Sequence, residues 1–343
     1  MSGVRVVIVG AGLMGRCHAT AARHAGATIE AIVDSDRVRA EQLSGRVGAT
    51  RALTELPAAL AGGSIDVVHI CTPLDTHVDL ARLALEAGCH VLMEKPFAPD
   101  LESAEALFAI ADRRQRLICP VHQFLFQDGA LRTERLLPDL GALRHLEWEV
   151  ASTGAERGRS TFDEVVLEIL PHGFAFAARW LGTAVGEAEW SVTSAIAGEC
   201  AVSAVVGGAR ISLRISLRGR PPSNRLRVVA ERGTIELDLF NGYAVLDRSA
   251  ATRPMKLFRP VRQAVATAAA ATLAVAGRVV RREFAYPGLR KLVARFHAAT
   301  RGQRATPIPT SETLAVTAAW SHARRAISGR SVVAGSPRPV LAS

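Results

Sequence analysis

Lysine is nearly absent from this chain. Only Lys95, Lys256 and Lys291 occur among its 42 basic residues, and the rest are arginines. So uniform a bias reads as a genome-wide codon preference. The arginines are spread along the chain, with no basic tail and no recognisable nucleic-acid motif. The net charge of +10 therefore carries no expectation of a nucleic-acid partner. The scarcity makes each lysine informative. Arginine keeps its proton at any working pH, whereas lysine can be tuned to exchange one. Paired cysteines are missing too. Cys17, Cys71, Cys89, Cys119 and Cys200 are scattered, odd in number and form no CxxC. This excludes a disulfide framework or zinc cluster and fits free thiols in a reducing compartment. No basic n-region, apolar h-region or cleavage site precedes the strand-like run Val4 to Val9. A cytoplasmic location is the expectation.

What is present is ordinary globular usage, 49% apolar and 22% charged over 343 residues, enough for two domains with separate cores. The first part alternates strand and helix signals. Arg5 to Val9, Thr28 to Val33, Ile65 to Cys71, His90 to Met93 and Leu117 to Val121 read as strands. Met14 to Ala25, Arg37 to Leu43, Thr76 to Ala87 and Asp100 to Arg114 read as helices, the last with Asp100 as its N-cap. Repeated βα units imply a doubly wound parallel sheet. After about residue 125 the pattern changes. Leu143 to Ala151 and Arg210 to Leu217 alternate with a period of two. Leu226 to Ala230 and Thr234 to Leu239 flank a turn at Glu231-Arg232-Gly233. These predict an open-faced, mainly antiparallel sheet, interrupted by a helix over Asp163 to Leu181. Helices follow at Leu289 to Ala299 and Ser311 to Ile327, and they can pack back on the first domain. The expected organisation is thus an α/β Rossmann domain over residues 1–124, an α+β substrate and oligomerisation domain over 125–330, and a tail over 331–343.

Residues 253–282 form an odd Ala/Arg-rich insertion. Its charge-free stretch Gln263 to Gly277 is shorter than the ~20 residues a spanning helix needs. A helix packed on the sheet is expected. Membrane-surface or partner attachment through this segment is the sharper alternative.

Gly10-Ala11-Gly12-Leu13-Met14-Gly15 is a GxGxxG that follows a strand and opens a helix. Its glycines permit the tight turn, the approach of a pyrophosphate and close helix–strand packing, with the positive helix end facing the phosphates. The second strand ends on Asp34, about twenty residues on, as a dinucleotide fingerprint requires. Asp34 can accept both adenosine ribose hydroxyls and would repel a 2′-phosphate, which favours NAD. Arg37 and Arg39 keep NADP open, and Asp34 could instead cap the next helix.

Two further stretches carry chemistry: Cys71-Thr72-Pro73-Leu74-Asp75-Thr76-His77, and Ala87-Gly88-Cys89-His90-Val91-Leu92-Met93-Glu94-Lys95-Pro96. Taken with the glycine motif, they resemble the glucose–fructose oxidoreductase / inositol 2-dehydrogenase / MocA family, closely over residues 4–115 and weakly to about 330. The resemblance implies NAD(P)-dependent hydride transfer to or from a secondary alcohol or ketone of a sugar, cyclitol or related metabolite. It also implies a cis Lys95–Pro96 bond and Lys95 and His172 as the catalytic pair. The cofactor set would be Gly10, Gly12, Leu13, Met14, Gly15, Asp34, Cys71, Thr72, Pro73, His77, Glu94 and Lys95. Substrate contacts would come from His122, Gln123, Glu168 and His172. Homo-oligomers are expected, since relatives pair through the open sheet, and no metal is expected. Lys95 would stand at the C-terminal end of a parallel strand, where ligands bind in doubly wound sheets, partly desolvated and readier to share its proton.

The chain departs from the family pattern in places. Where the family helix carries Asp-x-Gly-x-His, this one has Glu168-Ile169-Leu170-Pro171-His172. Glu168 and His172 would share a face, with the carboxylate raising the imidazole pKa, while Pro171 would kink or restart the helix. His122-Gln123-Phe124-Leu125 replaces the usual Tyr-x-x-Arg. The altered helix motivates the alternative of a non-catalytic dinucleotide-binding regulator. His69 and His90 fall in buried strands and are read as structural.

Overall fold

The computed structural model describes residues 3–61, 64–152, 161–194, 196–248, 253–283, 285–302 and 305–331. The expected C-terminal tail lies almost wholly outside them.

The first half builds a six-stranded parallel sheet from β1 (Arg5–Val9), β2 (Thr28–Val33), β3 (Arg51–Leu53), β4 (Val67–Ile70), β5 (His90–Met93) and β6 (Ile118–Pro120), in the order β3-β2-β1-β4-β5-β6. Helices α1 (Leu13–His24), α2 (Arg37–Val47), α3 (Leu56–Leu60), α4 (His77–Glu86) and α5 (Leu101–Arg114) supply the crossovers. Alternate strand residues serve opposite faces. Val6, Ile8 and Ile32 enter one core, and Val7, Val9, Val68 and Ile70 the other. A sheet covered on both sides needs apolar residues in both registers, which is why these strands read as continuous apolar runs. Strand order reverses between β1 and β4, which opens a crevice at their C-terminal ends. Asp100 caps α5 as expected, its carboxylate accepting from the Ser103 N–H at 2.8 Å.

Two short elements, β3 and α3, went unread, being three and five residues long. The expected boundary at residue 125 falls in the 3₁₀ turn Gln123–Phe126, between the two sheets. After α6 (Asp128–Leu140), a seven-stranded sheet forms from β7 (Leu143–Ala151), β8 (Ser191–Thr193), β9 (Glu199–Val206), β10 (Ala209–Ser216), β11 (Ser223–Ala230), β12 (Gly233–Asp238) and β13 (Tyr243–Asp247). Its order is β13-β12-β11-β7-β10-β9-β8, and the β7–β10 pair alone is parallel. The long helix α7 (Phe162–Leu181) covers one face. Gly173 makes this possible, because a Cβ there would sit 2.4 Å from the Trp148 ring on β7. The other face is open and carries ion pairs such as Arg214–Glu149 at 2.8 Å.

Helix α8 (Arg253–Arg281) is longer than the charge-free stretch suggested, at 29 residues. Its span Lys256–Arg281, in which an 18-residue stretch reaches a mean hydropathy of 1.4, is long and apolar enough to cross a membrane by length and composition. The helix is fastened by its arginines. Arg259 and Arg262 meet Asp247 at 2.6 and 3.3 Å, and Arg281 meets Asp128 at 3.1 Å. Its apolar side faces outward: of fourteen exposed large apolar side chains among the described residues, eight stand on this helix. Helices α9 (Leu289–Gly302) and α10 (Thr310–Ser331) then return to the first domain, against α1 and α5.

Candidate active site

The glycine turn joins β1 to α1 at the crevice. Gly10 has φ +96°, and a Cβ there would lie 2.6 Å from the Cys71 carbonyl oxygen after β4. At Gly15 the added atom would fall 1.7 Å from the Gly10 oxygen, whereas at Gly12 it would meet nothing within 4 Å. The first and last glycines are therefore required by the protein's own packing. The middle one leaves free space before a helix N-terminus that no side chain caps. An anion such as a pyrophosphate fits there, bound by backbone N–H groups and the positive helix end.

Asp34 ends β2 beside this turn. Its carboxylate accepts from the Ala11 N–H at 2.7 Å and the Asp36 N–H at 2.9 Å. The α2 cap is Asp36, not Asp34: the Asp36 side chain accepts from the Val38 and Arg39 N–H groups. Arg37 and Arg39, the residues that kept a 2′-phosphate in view, are paired with Glu41 at 2.8 Å and Asp36 at 3.2 Å.

A cavity of about 770 Å³ opens between the two sheets. The glycine turn lines it through Leu13 and Met14, and the turn after β4 through Cys71, Thr72 and Pro73. The end of β5 contributes Glu94, Lys95 and Pro96, and α7 contributes Glu168 and His172. An ammonium on the first domain and an imidazole on the second thus face one space. The Lys95–Pro96 bond is cis. His77 lies behind the wall and ties two loops together, its ring nitrogens 2.9 Å from the Pro96 and Thr72 carbonyl oxygens. Burial lowers its pKa against the opposing pull of those two carbonyls.

Pro171 does not break α7. The helix runs through it as one element. Proline lacks the N–H that would have met the Leu167 carbonyl one turn earlier. That carbonyl instead accepts the Trp320 indole N–H from α10 at 2.8 Å. The next carbonyl, Glu168, accepts the Lys95 ammonium at 2.8 Å. Two donors from outside the helix thus occupy carbonyls in the turn that proline disturbs, and one of them is the catalytic candidate itself.

The expected Glu168–His172 partnership is not formed. The Glu168 side chain is exposed, and no hydrogen bond joins it to the ring. The His172 pKa is lowered well below its ordinary value, by burial first and then by Lys95 and His122, where a rise was expected. Its Nδ1 is buried without a partner. His122 stands edge-on to it, ring centroids 6.0 Å apart, and burial pushes the His122 pKa down to about 3. Gln123 lines the cavity, whereas His122 lies behind it. Among the described residues no group of three or more His, Cys, Asp or Glu side chains is arranged to hold a metal ion.

Sequence reasoning missed Trp320 and Arg324 on α10, together with Asn224, Phe240 and Tyr286, which all line the cavity. None sits in a motif. They arrive by chain reversal, and no local pattern announces that.

A family model described as the oxidoreductase family, NAD-binding Rossmann fold, matches residues 4–122. UDP-N-acetylglucosamine 3-dehydrogenase of Acidithiobacillus ferrooxidans is 29% identical over 73% of this chain and 79% of its own length. Its crystal structure superposes with a TM-score of 0.74 at 22% identity, covering 96% of this chain and 99% of that one. Inositol 2-dehydrogenase of Corynebacterium glutamicum is 37% identical over 42% of this chain, a stretch that spans 40% of that enzyme. An oxidoreductase from Agrobacterium radiobacter, solved with NAD+, L-tartaric acid and magnesium, has a TM-score of 0.70 at 17% identity, over 95% of this chain and 96% of that one. The glycine turn shaped for a pyrophosphate lies within residues 4–122, the stretch that matches the NAD-binding Rossmann fold of the Gfo/Idh/MocA oxidoreductase family.

Proposed function

We propose that this protein oxidises a secondary alcohol of a sugar, cyclitol or sugar nucleotide, and reduces the matching ketone, with NAD as its dinucleotide. The convergence of Lys95 and His172 on one cavity beside the glycine turn carries this reading. The cofactor supplies C4 of its nicotinamide as the hydride acceptor or donor. Gly10, Gly12 and Gly15 shape the pyrophosphate seat. Asp34, its carboxylate already oriented by two backbone N–H groups, would accept the ribose hydroxyls and repel a 2′-phosphate. The local pairing of Arg37 and Arg39 supports NAD over NADP.

His172 is kept neutral by its burial, so at ordinary pH it can take the hydroxyl proton as the carbinol is oxidised and return it in reduction. Lys95 holds its ammonium on the Glu168 carbonyl with one of three N–H donors. The others can bind the substrate oxygen, stabilise the charge that develops on it and relay the proton between that oxygen and His172. A cavity of about 770 Å³ suits a cyclitol or a sugar with a substituent. Names of relatives, UDP-N-acetylglucosamine 3-dehydrogenase and inositol 2-dehydrogenase, support that substrate class. The open sheet face supports a homo-oligomer, and the scattered free cysteines support a cytoplasmic protein.

The test is turnover of NAD+ with a panel of cyclitols, hexoses and UDP-sugars by the protein, Lys95→Met and His172→Ala. Each substitution should lower kcat by at least about 100-fold while NADH still binds. Near-normal turnover in both variants would sink the assignment. NAD binding with no turnover of any substrate would favour the regulator instead, although an unbroken α7 removes the reason for suspecting one.

A further inference from the structure

A line of hydrogen-bonded side chains leaves the cavity and crosses the first domain. It starts at Glu94, which lines the cavity beside Lys95 and is otherwise buried. Glu94 Oε1 is 3.1 Å from His18 Nε2 on α1. His18 Nδ1 is 3.0 Å from His69 Nδ1 on β4. His69 Nε2 is 3.0 Å from His297 Nε2 on α9. The line ends at His297 Nδ1, which is buried and has no partner. All three imidazoles are at most 1% exposed. On α9 the neighbouring Ala294, Ala298 and Arg301 are exposed, while His297 itself is buried.

The tautomers follow from counting protons. An ionised Glu94 can only accept, so His18 carries its hydrogen on Nε2 and presents a lone pair at Nδ1. His69 must then donate from Nδ1, and His297 from Nε2. Every contact holds one hydrogen, every ring is neutral, and one lone pair remains at His297 Nδ1, the atom found without a partner. If a proton reaches that atom, each ring can pass its own hydrogen onward: His297 to His69 Nε2, His69 to His18 Nδ1, and His18 to Glu94 Oε1. All three rings end neutral in the opposite tautomer, and Glu94 ends as a carboxylic acid. The reverse shift restores the start. One proton enters or leaves, and no ring has to turn over.

We propose that Glu94, His18, His69 and His297 form a proton relay that sets the charge on Glu94 from the α9 side as Lys95 exchanges its proton with the substrate. When Lys95 yields a proton to the substrate oxygen, a proton arriving at Glu94 keeps the summed charge of the pair unchanged. When Lys95 is recharged, Glu94 discharges by the same route. The histidines are positioning residues, since none lines the cavity. The other titratable groups around Glu94 are Cys17 on α1, Cys71 after β4, His77 at the start of α4, His122 and Tyr286. Among the described residues His18 is the side chain hydrogen-bonded to Glu94, which makes the three-ring line the route for a proton. Burial and then the Arg301 guanidinium lower the His297 pKa. The relay rests on the dinucleotide reading only for what its proton serves.

Nitrogen-15 and carbon-13 NMR of the full chain, labelled in histidine and glutamate, tests it. Near pH 8 the expected signals are neutral rings protonated at Nε2 of His18, Nδ1 of His69 and Nε2 of His297. On acidification the three should switch tautomer together, at one midpoint shared with the Glu94 carboxyl carbon. In His297→Phe that shared midpoint should be lost, and Glu94 should shift by at least one pH unit. Imidazolium signals from any one ring, separate midpoints, or the opposite starting tautomers would overturn the relay, and the wild-type spectrum decides this even if the variant does not fold. Titration with NADH by fluorescence is read separately: failure to bind would strike the dinucleotide reading and leave the tautomer result standing.

Discussion

Three glycines within six residues of the first turn have different neighbours, and so should tolerate substitution differently. Gly12→Val places its branches in open space, so thermal stability should stay within about 2 °C of the native chain, as for an isolated surface change. NADH affinity should fall by at least about tenfold, because the side chain takes the anion's place. Gly15→Ala drives a Cβ into the Gly10 oxygen and should lower Tm strongly. Differential scanning fluorimetry with and without NADH separates the two. A large Tm loss in Gly12→Val would mean that the space belongs to the protein rather than to a ligand. At this scale the sequence was most legible. The three glycines, Asp34 and Lys95 are read from local spacing, and backbone geometry gives each its place. Glu168 was not legible. A spacing of four predicts a shared helix face, but which way an exposed carboxylate points is decided by solvent, and it is the Glu168 backbone carbonyl that meets Lys95.

Among the elements, α7 is the one whose behaviour depends on distant chain. Pro171 should have interrupted it, and Trp320 compensates by donating to the freed Leu167 carbonyl at 2.8 Å. Trp320→Phe keeps an aromatic ring but removes the donor and leaves a carbonyl unmet. A loss of about 1–3 kcal/mol in urea unfolding is expected. Because α7 also carries His172, kcat should fall more than KM rises. An unchanged unfolding midpoint would show that Leu167 finds water instead. The α8 helix teaches the converse. Its composition announced a helix, yet only the structure shows that the arginines turn inward to Asp247 and Asp128 while the apolar side faces out. The arginines keep about half of their side-chain surface in water while they reach buried Asp247 and exposed Asp128.

Across the whole molecule, His69, His77, His90, His122, His172 and His297 all have lowered pKa values, with burial the largest cause each time. In the unfolded chain each returns to an ordinary value of 6.5. Below that pH the unfolded state binds more protons than the native state, so stability is complete above 6.5 and is lost as pH falls. The window extends to about 4 for His90 and His297 and to about 3 for His122. Each such histidine contributes up to about 1.4 kcal/mol per pH unit. Unfolding midpoints in guanidinium should therefore fall steeply from pH 6.5 to 4.5. A flat profile would show that these rings are charged or hydrated in the native state.

The sequence by itself determined the βα alternation, the glycine turn, the place of Lys95 after the fifth strand and the period-two strands of the second sheet. All of these are local patterns, fixed by strand and helix periodicity and by backbone sterics within a few tens of residues. Only the tertiary structure decided what the histidines do. His18, His69 and His297 lie up to 279 residues apart, in segments that read as ordinary buried positions, and they become a line only because α9 returns to pack against α1. A nitrogen's partner is a matter of position in space to within an ångström, and periodicity in one dimension does not encode it.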